Sequence, residues 1–247
     1  MSGLQGVALR LHGPLQAWGG PVVGDDRPTL PFPTRSGVLG LIAACMGIHR
    51  GENERLVALA RGARVHIRVD SPGTPLVDDQ TIQGNTNASP TRQTIQSKRT
   101  YLCDASFVAV VVPGATGLTD EIVSAVTRPA FGPFLGRRTC VPSTPLLLAR
   151  GVSGEDPLDL FASLPRGPKD LIEQLTNSGL LDGGTDFYLD VDDHRRRLRR
   201  IPLRDDLAGP LPRQFRERLV VHVRERERGD SNRAAGPNDP WMTNELT

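Results

Sequence analysis

The chain has 247 residues, of which 38% are hydrophobic, with 26 glycines, 21 prolines and a formal net charge of +2. Its hydrophobic residues recur in blocks from end to end, which excludes a disordered chain, and no block approaches the roughly 20 residues that cross a bilayer. Three widely spaced cysteines exclude a disulfide framework and zinc spacing. Since the N-terminus also lacks a signal-peptide pattern, we expect a globular, cytoplasmic protein.

The first elements are a strand and two helices. Residues 6–12 alternate apolar and polar side chains, which predicts a β-strand, and a Gly/Pro-rich loop follows over 13–33. Thr34 is a typical N-cap for an apolar helix that ends near Ile48. A second helix is predicted over 52–62.

The next elements complete most of a familiar pattern. We predict strands over 63–70 and 100–112 and a helix over 118–127. Polar residues 71–99, between the two strands, are either a mobile loop or a projecting hairpin. The order strand, helix, strand, strand, helix is nearly a ferredoxin-like βαββαβ unit, so we predict an α+β fold.

The C-terminal part is more irregular. A second Gly/Pro-rich segment spans 128–147, and a short helical pattern lies within 156–181. Strands are predicted over 186–192 and 215–224. We therefore predict a first domain over 1–148, a smaller β-rich portion over 149–228, and a loose or partner-docked tail over 229–247.

Positive charge is concentrated in the β-rich portion. Residues 194–228 hold twelve arginines against five acidic residues, a balance of +7. Arginine binds phosphate through a planar fork of donors, although a nucleotide bias in the coding DNA would also produce an arginine excess. The run His194–Arg200 is either a phosphate contact or a solvated strand face balanced by the acidic residues upstream.

The segment GPFLGRRT, residues 132–139, is the first candidate anion site. Glycine lets backbone N–H groups approach a phosphate closely, and the paired arginines supply charge. A surface turn with a solvated arginine pair is the alternative. Neither a nucleotide-triphosphate P-loop nor a dinucleotide-binding glycine motif occurs, and we expect no cofactor or metal.

The start of the first helix is the second candidate. Free N–H groups at a helix N-terminus attract anions, and Arg35 and Ser36 lie there with Arg27 just upstream. An ordinary capped helix with an exposed arginine is the alternative.

The polar stretch is the third candidate. Arg92, Lys98 and Arg99 accompany asparagine, threonine and glutamine side chains, a mixture suited to single-stranded RNA, and Tyr101 at its base could stack on a base. Trp18 is either a second stacking platform or a core residue.

Catalysis has little support in the sequence. No hydrolase or metalloprotease motif surrounds any of the five histidines. His12, at the end of the first strand, is either a general base for metal-free RNA cleavage or a structural histidine, which is the commoner role.

Three parts of the chain together resemble the CasD family, subunits of the type I-E CRISPR Cascade that bind the 5′ handle of the CRISPR RNA. They are LRLHGPLQAWG (9–19), RPTLPFPTRSGVLGLIAACMGI (27–48), and RTYLCDASFVAVV (99–111) with RPAFGPFLGRRTCVPSTPLLL (128–148). The resemblance runs in order from about residue 7 to 148, and FPTRSGVLGLIAA and FLGRR are its most specific parts.

The resemblance implies a RAMP-type, ferredoxin-like domain whose thumb hairpin falls at 71–99. It implies one copy per antiviral ribonucleoprotein complex, with the large subunit CasA and the backbone subunit CasC as partners and target DNA nearby. A separate subunit cuts the precursor RNA in such systems, so this chain is expected to bind without cutting. A metal-independent endoribonuclease and a protein-only scaffold are the alternatives.

By motif position, the resemblance places Arg35 and Ser36 near the handle. The same holds for the run Leu135, Gly136, Arg137, Arg138 and Thr139. We expect Arg137 and Arg138 to neutralise phosphate and Arg35 to hold another phosphate.

Overall fold

The computed structural model describes residues 3–22, 24–86, 89–115, 117–168, 170, 172, 173, 177, 184–190, 199–209 and 214–226. Within this range, the side chains of 82–93, 95, 199, 205–209, 214 and 226 are not described. None of the described helices is long and apolar enough to cross a membrane.

The named elements of the described residues are ten β-strands, three α-helices and a short 3-10 helix. Asp170, Ile172, Glu173 and Asn177, within the helical pattern predicted for 156–181, are also helical. The strands are β1 (Leu4–His12), β2 (Leu15–Gln16), β3 (Ala63–Ser71), β4 (Thr74–Thr86), β5 (Ser89–Cys103), β6 (Ser106–Pro113), β7 (Leu147–Gly154), β8 (Gly184–Leu189), β9 (Arg199–Gly209) and β10 (Gln214–Arg226). The helices are α1 (Arg35–Cys45), α2 (Asn53–Arg61) and α3 (Leu118–Thr127), and the 3-10 helix is Asp159–Phe161.

Within the described ranges, the strands form two antiparallel sheets. The large sheet has seven strands in the order β7-β1-β6-β3-β8-β10-β9, and the small sheet has the order β2-β5-β4. β8 pairs with β3 through Ile67 and Tyr188, so the C-terminal strands extend the same large sheet. The mixed α+β class predicted from the sequence is confirmed.

Each face of the large sheet carries its own core. On one face, the three helices pack against alternate side chains of β1, β6 and β3, including Leu9, Phe107 and Ile67. On the other face, Leu160 and Phe161 cover a second cluster. β6 is buried on both faces over Ser106–Val112, and its apolar run fits that position.

The first helix begins where the sequence predicts. Thr34 is the N-cap, and its Oγ1 accepts a hydrogen bond from the Gly37 N–H at 3.2 Å. The helix ends at Cys45, and Gly47 follows with φ of +71°. The α2 and α3 predictions are confirmed as well.

The polar stretch forms the predicted hairpin. β4 and β5 pair along their length, from Thr74 opposite Cys103 to Thr86 opposite Ser89. The single strand predicted over 100–112 is wrong, because the chain turns at Asp104, whose φ is +53°. Its first part therefore belongs to β5 in the small sheet and its second part to β6 in the large sheet.

Three strands were not predicted: the two-residue β2, which lies in the segment 13–33 expected to be a loop, β7 and β9. β7 is an edge strand beside β1, and its half-exposed side chains give a weak alternation. β9 begins at Arg199 and pairs with β10, within the arginine-rich segment. The predicted strands 186–192 and 215–224 correspond to β8 and β10. Residues 191–198, most of 169–183 and the tail from 227 lie outside the described residues.

A buried ion pair holds residues 161–167 on the second face of the sheet. Arg68 Nε lies 2.6 Å from Asp70 Oδ1, and both side chains are almost fully buried. The remaining Arg68 nitrogens donate to backbone carbonyls of the 161–165 segment at 2.9–3.2 Å. Asp70 Oδ2 accepts the Gly167 N–H at 2.5 Å. The covering segment therefore depends on two side chains of β3.

Candidate nucleic-acid interface

The loop over 24–30, called the docked loop below, pairs with the base of the hairpin. Arg27 precedes a proline, which disfavours the helical region and keeps its backbone extended. Its N–H donates to the Lys98 carbonyl at 2.8 Å, and its own carbonyl accepts the Thr100 N–H at 3.1 Å. The docked loop therefore adds a short parallel bridge to β5, centred on Arg27 and Arg99.

Two aspartates before Arg27 strengthen this contact. Lys98 N–H donates to Asp26 Oδ1 at 3.2 Å, and Ser97 Oγ donates to the Asp25 carbonyl at 2.6 Å. Sequence reasoning missed both residues. No local signal marked them, because both partners lie 72 positions away along the chain and Asp25 contributes only its backbone carbonyl.

Residues 134–140, called the arginine loop below, are held in place by a buried side chain and by backbone hydrogen bonds. Leu135 is fully buried, its N–H donates to the Cys140 carbonyl at 2.7 Å, and its carbonyl accepts the Ala17 N–H at 3.0 Å. Gly136 follows with φ of +92°, and a Cβ there would lie 1.6 Å from the Ala17 carbonyl oxygen. Only glycine fits this approach. The Leu135 side chain belongs to the core, so it is not accessible for the RNA contact expected of it.

Arg137 joins the arginine loop to the hairpin base. Its Nη1 donates to the Thr100 carbonyl at 3.0 Å, and its Nη2 donates to the Arg27 carbonyl. Its Cζ lies 4.6 Å from the centre of the Tyr101 ring. Tyr101 itself is buried, so the expectation that it stacks on an RNA base is wrong, because the guanidinium and the core already cover its ring.

Three expected cations are exposed around this junction. Arg27, Lys98 and Arg138 are exposed, as is Thr139 beside Arg138. Arg99 is half-buried, and its Nε has no hydrogen-bond partner among the described residues.

The outer strand of the hairpin carries the opposite charge. Asp78 lies opposite Arg99, and Asp79 lies opposite Lys98. Opposite charges across two strands stabilise the pairing, by roughly 0.2–1 kcal/mol per pair. Within this part of the hairpin, the basic side chains belong to the strand that contacts the docked loop. The side chain of Arg92 lies outside the described residues.

Arg35 is not part of this surface. It is buried, and its guanidinium donates to the carbonyls of Ala60 and Ala63 and lies 3.1 Å from Asp190. Asp190 is shared with Arg218 at 3.3 Å. The expected phosphate contact of Arg35 is therefore corrected to a structural role, because protein groups occupy its donors.

Ser36 is half-buried at the start of α1. It lines a small cleft between Trp18 and Gly136, next to the arginine loop. Trp18 is 1% exposed, and its Nε1 donates to Gln16 Oε1 at 2.9 Å. It is a core residue and offers no stacking platform.

His66 lies next to Asp190, which pairs with Arg35 and Arg218. Its burial predicts that the stability of the fold depends on pH. Burial lowers its pKa from 6.5 to about 4, and its Nδ1 accepts the Asp190 N–H. The unfolded chain binds a proton below pH 6.5, whereas the folded chain does not until about pH 4. The free energy of unfolding is therefore expected to fall as the pH drops from 6.5 to 4, by at most ~1.4 kcal/mol per pH unit.

Urea unfolding of wild type and His66→Asn at several pH values checks this prediction. Asparagine keeps an acceptor for the Asp190 N–H and does not titrate. The stability difference between the two proteins is expected to change across this pH range. Parallel pH curves would contradict the effect.

His12 is the remaining candidate. Its Nδ1 lies 3.2 Å from the Ala105 carbonyl oxygen. A carbonyl only accepts hydrogen bonds, so Nδ1 carries the proton and Nε2 is unprotonated in the neutral ring. Among the described residues, no group of three histidine, cysteine or acidic side chains is placed to hold a metal.

Comparison with known proteins gives consistent matches. The model of the family described as CRISPR-associated protein (Cas_Cas5) matches residues 6–225. The CRISPR system Cascade subunit CasD of Escherichia coli (strain K12) is 42% identical over 155 residues, covering 58% of this chain and 69% of that protein.

Solved structures agree in fold. A chain from a CRISPR RNA-guided surveillance complex superposes with a TM-score of 0.65 and 31% identity, covering 89% of both chains. A crystal structure of a Cas protein gives a TM-score of 0.52 and 28% identity, covering 87% of this chain and 94% of the other.

Proposed function

This chain belongs to the Cas5 family of CRISPR-associated proteins, and from that membership we propose that it binds the 5′ handle of a CRISPR RNA. In this proposal it is a non-catalytic subunit of a type I-E Cascade complex and caps the 5′ end of the guide. Its partners are the large subunit CasA and the backbone subunit CasC, with target DNA nearby. The similarity to a Cascade subunit and to a surveillance-complex chain supports this role.

The strand order supports the finer fold assignment that accompanies this role. β7, β1, β6 and β3 are neighbours, with α1 and α2 between β1 and β3 and α3 between β6 and β7. We propose that these elements form the ferredoxin-like unit and that β4 and β5 form its thumb.

The observation that carries the RNA proposal is the meeting of three segments at the hairpin base. The docked loop, β5 and the arginine loop are hydrogen-bonded to one another there. They present Arg27, Lys98 and Arg138 to solvent around backbone that is held in place. Cations on a fixed frame bind a phosphate backbone without reading its sequence.

Arg138→Ala tests the RNA proposal. We expect its affinity for a labelled CRISPR RNA made from the host's own repeat–spacer unit to fall about tenfold, because each neutralised phosphate releases counterions on binding. The slope of log K against log salt should become shallower by about 0.7 for each phosphate of a single strand that the variant no longer neutralises. Filter binding at several salt concentrations measures both quantities.

Arg150→Ala is the matched control, because it removes the same charge from an exposed position in β7. Equal affinity and slope for both variants would contradict the proposed surface. The same samples, kept in EDTA, report cleavage. RNA cutting that is lost in His12→Ala would identify a metal-independent ribonuclease, and assembly without any RNA contact would identify a scaffold.

A further inference from the structure

Two adjacent arginines in the arginine loop have different surroundings. Arg138 is exposed and lines an open groove with Phe131 and Val141. Arg137 is half-buried and makes two hydrogen bonds to backbone carbonyls. The sequence analysis predicts the same role, phosphate neutralisation, for both arginines, whereas their contacts in the structure differ.

The two acceptors of Arg137 belong to different segments. The Thr100 carbonyl is in β5, and the Arg27 carbonyl is in the docked loop. These two residues also bond to each other, through the Thr100 N–H and the same Arg27 carbonyl at 3.1 Å. One guanidinium therefore connects three segments that are far apart in the chain.

The shape of the side chain suits this task. A guanidinium is flat and presents donors in a fixed fork, so it reaches two carbonyls while its face lies on an aromatic ring. Tyr101 supplies that ring, at 4.6 Å from Arg137 Cζ. A lysine ammonium has the same charge but is a point donor, so it cannot make this set of contacts.

We propose that Arg137 is a positioning residue that fixes the hairpin base and the docked loop against the arginine loop, whereas Arg138 makes the phosphate contact. The part assigned to Arg138 rests on the proposed function. The part assigned to Arg137 concerns the protein alone and holds with or without RNA.

Hydrogen exchange in the full-length, RNA-free chain tests the Arg137 part. The amides of Arg27 and Thr100 are protected only while the docked loop stays on β5. We expect both amides to exchange at least tenfold faster in Arg137→Ala and in Arg137→Lys than in wild type. Arg138→Ala should match wild type, and the amide of Val108 in the central strand β6 should be unchanged in every variant.

RNA-binding measurements on lysine and alanine variants distinguish the effect of the arginine's charge from the effect of its geometry. We expect Arg137→Lys to lose about tenfold in affinity with an unchanged salt slope, because the charge is kept and the geometry is lost. Arg138→Lys should retain most of its affinity for RNA. Arg138→Ala should bind RNA more weakly and show a shallower slope of log K against log salt.

Wild-type exchange and wild-type affinity in Arg137→Lys would overturn the proposal, because charge alone would then suffice. If no variant affects RNA binding, the proposed function fails. Faster exchange in the two Arg137 variants would still establish the positioning role in that case.

Discussion

Gly136→Ala is expected to lower the free energy of unfolding by about 3 kcal/mol and to abolish handle binding. The added Cβ would lie 1.6 Å from the Ala17 carbonyl oxygen, in a backbone conformation with φ of +92°. Neither atom can move without breaking the hydrogen bond from the Ala17 N–H to the Leu135 carbonyl. The arginine loop would shift outward, and Arg137 would lose its two acceptors. Urea unfolding and exchange of the Ala17 amide measure these effects.

Gly132→Ala is the matched control. The same methyl group is added a few residues earlier in the chain, where a Cβ has nothing within 4 Å and φ is not positive. Its stability and RNA affinity should match those of wild type. Similar losses in both variants would mean that general flexibility of this segment, and not the close approach at Gly136, accounts for the result.

Arg68→Ala is expected to destabilise the fold by about 3–5 kcal/mol. The change leaves the Asp70 carboxylate almost fully buried, with the Gly167 N–H as its remaining partner among the described residues. It also removes a donor from the Phe161, Leu164 and Pro165 carbonyls. The Phe161 carbonyl keeps the Leu164 N–H and the Pro165 carbonyl keeps Arg10 as a donor. Leu160, Phe161 and Leu164 would then lose their fixed position on the sheet. Chemical unfolding measures the loss, and exchange of the β6 amides reports how far the second face opens.

Two further variants separate the ion pair from the packing. Arg61→Ala removes an exposed arginine at the end of α2 and should change stability by less than about 0.5 kcal/mol. Replacing both partners, Arg68→Met with Asp70→Leu, should cost less than Arg68→Ala, because no buried charge remains unpaired. A double variant that is less stable than Arg68→Ala would contradict this explanation.

Local patterns predicted much of the fold. Thr34 before an apolar run located the start of α1, and alternation located β1 and β3. The polar stretch indicated the hairpin, since its length was too great for an ordinary loop. These features depend on residues close together in the sequence, so no tertiary contact was needed to see them.

The remaining features depend on distant partners. The position of Arg35 at a helix start predicts a cation that is available to a ligand. In the structure its guanidinium pairs with Asp190 and donates to one carbonyl of α2 and one of β3. Tyr101 lies at the base of a polar stretch, which indicates an exposed ring. Arg137 covers that ring but is 36 positions away along the chain, so the local sequence does not show the contact. The turn at Asp104 interrupts an apolar run, and the turn-favouring residues Asp104 and Ser106 were its only local sign.

The hairpin leaves the large sheet and returns to it at one place. β3 and β6 pair with each other up to Ser71 opposite Ser106, and the hairpin emerges between those ends. Excising two opposed residues from each of its strands would shorten it by roughly 7 Å and keep every remaining side chain on its original face. The core of the large sheet would not change. The reach of this projection can therefore diverge among related chains in two-residue steps, independently of the domain that carries it.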